Sequence, residues 1–135
     1  MHGKLYIPEV LKLGILSIDD EHSALVAKLN EGIQLLEHEK ANSDKFQALL
    51  LEFIDMTEDH FRHEEVFMEE KGYDKLEEHK SEHEHILILL RHFANQTEHF
   101  EANELIFCFT QVINDIVYSD MLFANFLEIT PREVA

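Results

Sequence analysis

Apolar residues recur at intervals of three and four along most of the chain, and this spacing predicts four amphipathic helices. The four apolar stripes cover approximately residues 18–36, 44–71, 76–93 and 105–127. The chain has four glycines and two prolines, and both prolines lie near its ends. The long middle of the chain therefore contains no proline and is free to be helical.

Turn-forming and capping residues separate the predicted helices. Ser43 has the position of an N-cap for the second helix, and Gly72 is placed to end that helix in a left-handed conformation. Asp74 and Asn103 are expected to cap the third and fourth helices. The connections between the helices are short, and short connections favour antiparallel neighbours.

The predicted fold class is all-α, an antiparallel up-down-up-down four-helix bundle. Residues 1–16 are expected to form an extended N-terminal arm, because Pro8 and Gly14 discourage a helix there. No linker, repeat or low-complexity tract divides the chain. We therefore expect a single domain over residues 1–135.

Polar side chains interrupt each of the four apolar stripes. Residues four apart lie on one face of a helix, so a His-xxx-Glu pair in the second stripe and a His-xxx-His pair in the third stripe point inward. Buried polar groups need partners, and imidazole with carboxylate is a ligand set for iron, manganese or zinc. The sequence therefore predicts a metal site inside the bundle. Its candidate ligands are His22, His60, Glu64, His79, His83, Asp115 and Asp120.

Each of these residues alone is a weak signal. A single histidine on an apolar face is usually a core residue with one hydrogen bond, and His-xxx-His arises easily in a chain with ten histidines. The joint pattern is stronger, because all four helices contribute to it. The other histidines are expected outside the site, and a surface position is the simplest interpretation of His63, although a supporting role is open to it. They are His2, His38, His63, His85, His92 and His99.

Composition excludes several classes of function. Against 28 Asp and Glu there are 11 Lys and Arg, and the formal net charge is −17. Such a chain cannot neutralise nucleic-acid phosphates and is repelled by anionic membranes. No apolar run approaches the length of about 20 residues that spans a bilayer, and Met1–Leu5 has no signal-peptide pattern, so a cytoplasmic location is expected. The single cysteine, Cys108, excludes an internal disulfide.

Several segments resemble the hemerythrin family, especially its single-domain bacterial members. The resemblance covers nearly the whole chain and is carried by residues 14–22, 60–65, 72–73, 79–83 and 114–120. It implies a four-helix bundle around a non-haem centre of two iron ions, bridged by an oxo or hydroxo group, that binds dioxygen reversibly. It also implies that His22 and His60 hold the metal at which oxygen binds. His79 and His83 would hold the other metal, and Glu64 and Asp120 would bridge the two.

The fourth helix departs from the family pattern. The family has a histidine where this chain has Asp115, and the chain has no tryptophan at all. An ionised Asp115 would remove one further positive charge from the centre and so favour ferric over ferrous iron. We therefore expect that the di-iron site still assembles but autoxidises faster, and that Asp115→His slows the autoxidation.

Three classes of function remain open at this stage. The first is a protein that binds dioxygen as carrier, store or sensor, with Leu25, Val112 and Ile116 lining an apolar pocket. The second is an enzyme, a di-metal oxidase or a peroxide-reducing protein, which the additional carboxylate would suit. The third is a metal-storing or metal-stabilised interaction module. Oxygen binding is the preferred interpretation, with dioxygen or peroxide as the small ligand, and the sequence identifies no protein partner.

Overall fold

The structure is a computed structural model that describes residues 16–38, 43–96 and 102–127, and each regular element in these ranges is an α-helix. The helices are α1 (Leu16–Leu36), α2 (Asp44–Glu70), α3 (Leu76–Asn95) and α4 (Ala102–Phe126). The prediction of an all-helical bundle is confirmed. The predicted N-terminal arm lies outside the described residues, except for its last residue, which begins α1. None of the described helices combines the length and the apolar character that crossing a membrane requires.

The four helices are arranged in a ring in which α1 packs against α2 and α4, and α3 also packs against both. Contacts between side chains give the directions of the helices. Glu21 at the start of α1 contacts His60 near the end of α2, and Glu65 near the end of α2 contacts His83 near the start of α3. Ser119 near the end of α4 contacts Glu82 near the start of α3. Successive helices therefore run in opposite directions, as an up-down-up-down bundle requires.

Both ends of α2 have the predicted caps. At its start, the backbone N–H of Phe46 donates to the Ser43 hydroxyl oxygen at 3.2 Å. At its end, Gly72 has a φ of 68°, its N–H donates to the Glu69 carbonyl, and the Tyr73 N–H donates to the Met68 carbonyl. This pair of bonds is a Schellman motif, which ends a helix in a left-handed residue that glycine adopts without steric cost. The turn brings the start of α3 beside the end of α2.

Two predicted caps are wrong. The helix α3 begins at Leu76 after Lys75, which occupies the N-cap position without a side-chain capping bond, so Asp74 is not the cap. The helix α4 begins at Ala102, and Asn103 is therefore inside the helix. Capping residues are common in loops, and the turn after Gly72 brings the chain into α3 one residue later than the sequence pattern suggests.

A layer of polar side chains separates two apolar clusters in the interior. Each helix passes through this layer, for example from Ile18 through His22 to Leu25 in α1, and from Ile116 through Asp120 to Phe123 in α4. The large cluster consists of residues from all four helices. The small cluster lies at the other side of the layer and consists of Ile18, Met68, Tyr73, Phe123 and Ala124.

Candidate metal centre

Six of the seven predicted ligands meet in the polar layer. The helix periodicity places each of them on the inward face of its helix, and the ring of four helices brings the faces together. All six are buried, and the carboxylates of Glu64 and Asp120 are completely inaccessible to solvent. The six residues are His22 of α1, His60 and Glu64 of α2, His79 and His83 of α3, and Asp120 of α4.

The six side chains form two overlapping groups. The first consists of His22, His60, Glu64 and Asp120, and the second of Glu64, His79, His83 and Asp120. Within each group, one nitrogen or oxygen atom from each residue lies within 4.8 Å of the others. The two carboxylates are common to both groups, so each group has two imidazoles of its own and shares the same two acids.

Three polar atoms of this layer are buried without a hydrogen-bond partner, namely His60 Nε2, Glu64 Oε2 and Asp120 Oδ1. A buried polar atom without a partner costs roughly 1–3 kcal/mol, and three of them converge here. All three are atoms that can donate an electron pair to a metal. The donor set therefore fits a bound cation, since such an ion would satisfy the three atoms at once.

The remaining contacts inside the layer are between imidazoles and carboxylates. His22 Nε2 donates to Asp120 Oδ2 at 2.6 Å, and His83 Nε2 lies 3.2 Å from Glu64 Oε1. His79 Nε2 lies 3.4 Å from Glu64 Oε1 and 3.3 Å from Asp120 Oδ1. The imidazole nitrogens that approach the carboxylates thus all face the centre of the layer.

The carboxylates raise the affinity of the imidazoles for protons. Burial by itself lowers the pKa of His60, but the nearby carboxylates of Asp120 and Glu64 outweigh burial and raise this pKa to about 11. Burial also lowers the pKa of His79, but the same two carboxylates outweigh burial and raise this pKa to about 9. Burial acts to raise the pKa of Asp120, yet its contacts with Glu64 and the surrounding imidazoles hold that pKa well below its usual range. Before a cation binds, protons therefore supply the positive charge that the buried carboxylates need.

Two carboxylates at the edge of the layer hold the outer nitrogens of two histidines. His60 Nδ1 donates to Glu21 Oε1 at 2.8 Å, and His83 Nδ1 donates to Glu65 Oε2 at 2.8 Å. The sequence pattern predicts no role at the site for either glutamate. Both directly precede or follow a candidate ligand, but an acidic residue at such a position is common on a helix surface, so the signal was weak.

The structure describes four of the six histidines that were predicted to lie outside the site, and one of the four is connected to it. His38, His63, His85 and His92 are exposed, whereas His2 and His99 lie outside the described residues. The His63 side chain is 67% exposed, but its Nδ1 donates to Glu21 Oε2 at 2.6 Å and so joins the surface to a carboxylate that contacts the site. Glu82 is exposed and accepts a hydrogen bond from Ser119.

One predicted ligand is not described. Asp115 belongs to α4, but its side chain lies outside the described part of the structure. Its role as a ligand stays a prediction. The predicted pocket residues Leu25, Val112 and Ile116 are all buried in the large apolar cluster.

The fold and the site define this protein as a non-haem, metal-binding four-helix bundle. A family model described as "Hemerythrin HHE cation binding domain" matches residues 13–124. The chain belongs to the hemerythrin family.

Two curated proteins share extended similarity with the chain. A bacteriohemerythrin of Clostridium acetobutylicum is 34% identical over 96 residues, which cover 70% of this chain and 69% of that protein. A bacteriohemerythrin of Pseudomonas paraeruginosa is 31% identical over 97 residues, which cover 70% of this chain and 58% of that protein. The chain thus matches less than two thirds of the length of the second relative. No solved structure matches it significantly.

Proposed function

We propose that this chain is a di-iron protein that binds dioxygen reversibly as a carrier, store or sensor. The observation that carries the proposal is the pair of overlapping ligand groups with two shared, fully buried carboxylates. Two groups of four donors suit two ions rather than one, and carboxylate bridges hold two ions close together. Membership of the hemerythrin family and the similarity to two bacteriohemerythrins support iron and dioxygen as the metal and the ligand.

The proposed ligands divide by group. His22 and His60 would hold one ion, His79 and His83 the other, and Glu64 and Asp120 would bridge them. Each imidazole presents Nε2 to the centre, where the carboxylate oxygens of Glu64 and Asp120 lie between the two pairs of histidines. Iron, when bound here, would supply the electrons that make the uptake of dioxygen possible.

The surroundings of the ligands favour a small apolar molecule. Leu25, Val112 and Ile116 are buried in the large cluster, whose edge borders the polar layer. Aliphatic side chains offer no hydrogen bonds to water, so they exclude it from this side of the site. Dioxygen does not depend on such bonds and therefore loses no strong hydrogen bonds to water when it enters an apolar pocket.

Asp115 distinguishes this chain from the family pattern. We propose that its carboxylate adds to the negative charge at the ion held by His79 and His83 and makes the ferrous state less stable. Asp115→His should then slow the autoxidation of the iron-loaded protein in air. An unchanged rate in this variant would contradict the role of Asp115.

Metal analysis combined with absorption spectroscopy tests the function. We expect two irons per chain after reconstitution, and a visible absorption band that appears when the reduced protein meets air and disappears when oxygen is removed. His83→Ala should lose the band, whereas His85→Ala, an exposed histidine two residues away, should keep it. One zinc per chain would overturn the di-iron site. Turnover of peroxide without reversible binding would favour the alternative, a di-metal oxidase or peroxide-reducing enzyme.

Two further expectations belong to this proposal and rest on the sequence. The chain is proposed to be a single domain, and its location is proposed to be cytoplasmic. Protease digestion that leaves residues 13–124 intact would support the first, and fractionation of cells would test the second.

A further inference from the structure

We infer that Glu21 and Glu65 are positioning residues, one for each ion. They orient His60 and His83 and keep a proton on Nδ1, so that the electron pair of Nε2 is left for the metal. The inference rests on the proposed two-metal site. It goes beyond the ligands themselves, because neither glutamate belongs to the two groups of candidate donors. Each group nevertheless contains one histidine whose outer nitrogen is held by one of these carboxylates.

The first of the two contacts fixes His83 on α3. Its Nδ1 donates to Glu65 Oε2 at 2.8 Å across the interface between α2 and α3. Its ring also stacks on Phe61, with centroids 3.7 Å apart and planes inclined by 2°. The hydrogen bond fixes the rotation of the ring and the stacking fixes its plane, so that Nε2 points toward Glu64 at 3.2 Å.

The second contact fixes His60 on α2, and it extends to the surface. His60 Nδ1 donates to Glu21 Oε1 at 2.8 Å, and His63 Nδ1 donates to Glu21 Oε2 at 2.6 Å. Both oxygens of Glu21 are therefore engaged by α2, which holds its carboxylate in one orientation. The inner nitrogen of His60 is left without a hydrogen bond, 3.4 Å from Glu64 Oε2 and 3.7 Å from Asp120 Oδ2.

The chemistry of imidazole explains why these contacts matter. An ionised carboxylate only accepts hydrogen bonds, so the nitrogen that faces it must carry a proton. In a neutral imidazole the other nitrogen then has a free electron pair, which is the form that binds a metal. The carboxylate also makes the imidazole a stronger ligand, and loss of such an outer partner typically lowers metal affinity by about 10- to 100-fold. His22 and His79 also present Nε2 to the carboxylates inside the layer.

Zinc titration and NMR spectroscopy of the zinc-loaded protein test the inference. The variants are Glu21→Ala and Glu65→Ala. The controls are Asp20→Ala and Glu84→Ala, which remove exposed acids adjacent in sequence to Glu21 and to His83. We expect each of the first two variants to bind zinc about 10- to 100-fold more weakly in a chelator competition. The protected Nδ1–H resonance of His60 should disappear only in Glu21→Ala, and that of His83 only in Glu65→Ala. Both controls should match wild type.

Two further variants separate positioning from stability. In Glu21→Gln and Glu65→Gln the amide oxygen still accepts from Nδ1, so both N–H resonances should persist and the affinity should fall by a smaller factor. If an alanine variant fails to fold, the corresponding glutamine variant still tests the inference. His63→Ala should weaken the His60 resonance and leave that of His83 unchanged.

Different results would overturn the inference and the metal site. If both alanine variants bind zinc as wild type does and keep both N–H resonances, Glu21 and Glu65 do not position the ligands. If the glutamine variants lose the resonances as completely as the alanine variants, the hydrogen bond from Nδ1–H to a side-chain oxygen is not what protects these protons. If wild type itself binds neither zinc nor iron, the proposed site is wrong, whatever the variants do.

Discussion

The two ends of the bundle are stabilised in different ways. At the end formed by the second half of α1 and the first half of α2, the interior contains a large apolar cluster that includes Leu29, Phe46 and Phe53. At the other end, a layer of two carboxylates and four imidazoles lies next to a small apolar cluster of five described residues. Burial of apolar surface stabilises the first end without any ligand. The second end depends on the balance of charges inside it.

This difference shows how the bundle accommodates a metal site. The large cluster keeps four helices in register, and that register holds the ligands close together although each carboxylate is costly to bury. We expect the end that contains the site to be the less stable part, because protons or metal ions must compensate its negative charge. The following changes should separate the contributions of the two ends.

The largest effect is expected for Glu64→Ala, which removes an acid common to both ligand groups. Because both ions lose the same bridge, metal affinity should fall by more than the factor of about 100 that follows loss of an outer partner. Metal content after reconstitution and gel filtration measures this effect. Glu69→Ala, at an exposed position on the same helix, should keep the same metal content as wild type. Retention of two metals by Glu64→Ala would contradict the bridging role.

Phe53→Ala should act on the opposite end. Phe53 is completely buried in the large cluster, and removal of a buried phenylalanine side chain costs about 3–5 kcal/mol of the free energy of unfolding. Denaturation by urea measures the loss, and Leu51→Ala, a substitution of a largely exposed neighbour, should change it by no more than about 0.5 kcal/mol. The zinc affinity of the folded fraction should stay that of wild type. A large fall in affinity would show that the two ends are coupled.

The pH should affect the metal-free protein and the binding of metal in opposite directions. The pKa of His60 is raised to about 11 and that of His79 to about 9, so both are protonated in the fold at neutral pH. Their contribution to stability is complete below the ordinary histidine pKa of 6.5 and is lost as the pH rises through the raised values. Metal must displace these protons, so zinc affinity should increase between pH 6 and pH 8 by about tenfold per pH unit for each displaced proton.

Two measurements check the dependence on pH. Thermal unfolding of the metal-free protein should occur at lower temperature as the pH is raised from 6.5 to 10. Calorimetric titration with zinc in buffers of different ionisation enthalpy counts the protons released. A metal-free protein that becomes more stable with rising pH, or zinc binding without proton release, would contradict this balance.

The smallest effect is expected for Arg91→Ala at the surface. Arg91 donates to Glu58 at 2.7 Å and joins α3 to α2, but the Arg91 side chain is 50% exposed. Exposed ion pairs of this kind contribute less than about 1 kcal/mol. Urea denaturation should show a loss in that range, with Arg62→Ala, which removes a contact to the same glutamate within α2, as the matched comparison. A loss of several kcal/mol would mean that the surface, and not the large cluster, holds α3 in place.

Much of this protein could be inferred from residue spacing alone, because helix formation and the inward face of a helix depend on near neighbours in sequence. The period of three and four residues predicts all four helices, Ser43 and Gly72 mark the ends of α2, and six of the polar residues on the inward faces do meet. Two local predictions were wrong: Asp74 and Asn103 resemble caps, but Lys75 has the N-cap position of α3, and Asn103 lies inside α4.

The contacts between helices had to come from the tertiary structure, because they depend on how far each helix is rotated and shifted against its neighbours. No spacing within α1 or α2 reveals that Glu21 accepts from His60 and His63, or that Glu65 reaches His83 of α3 while Phe61 stacks on the same ring. Periodicity identifies which side chains face inward. Packing decides which atoms meet, and thereby which nitrogen of each histidine is left for a metal.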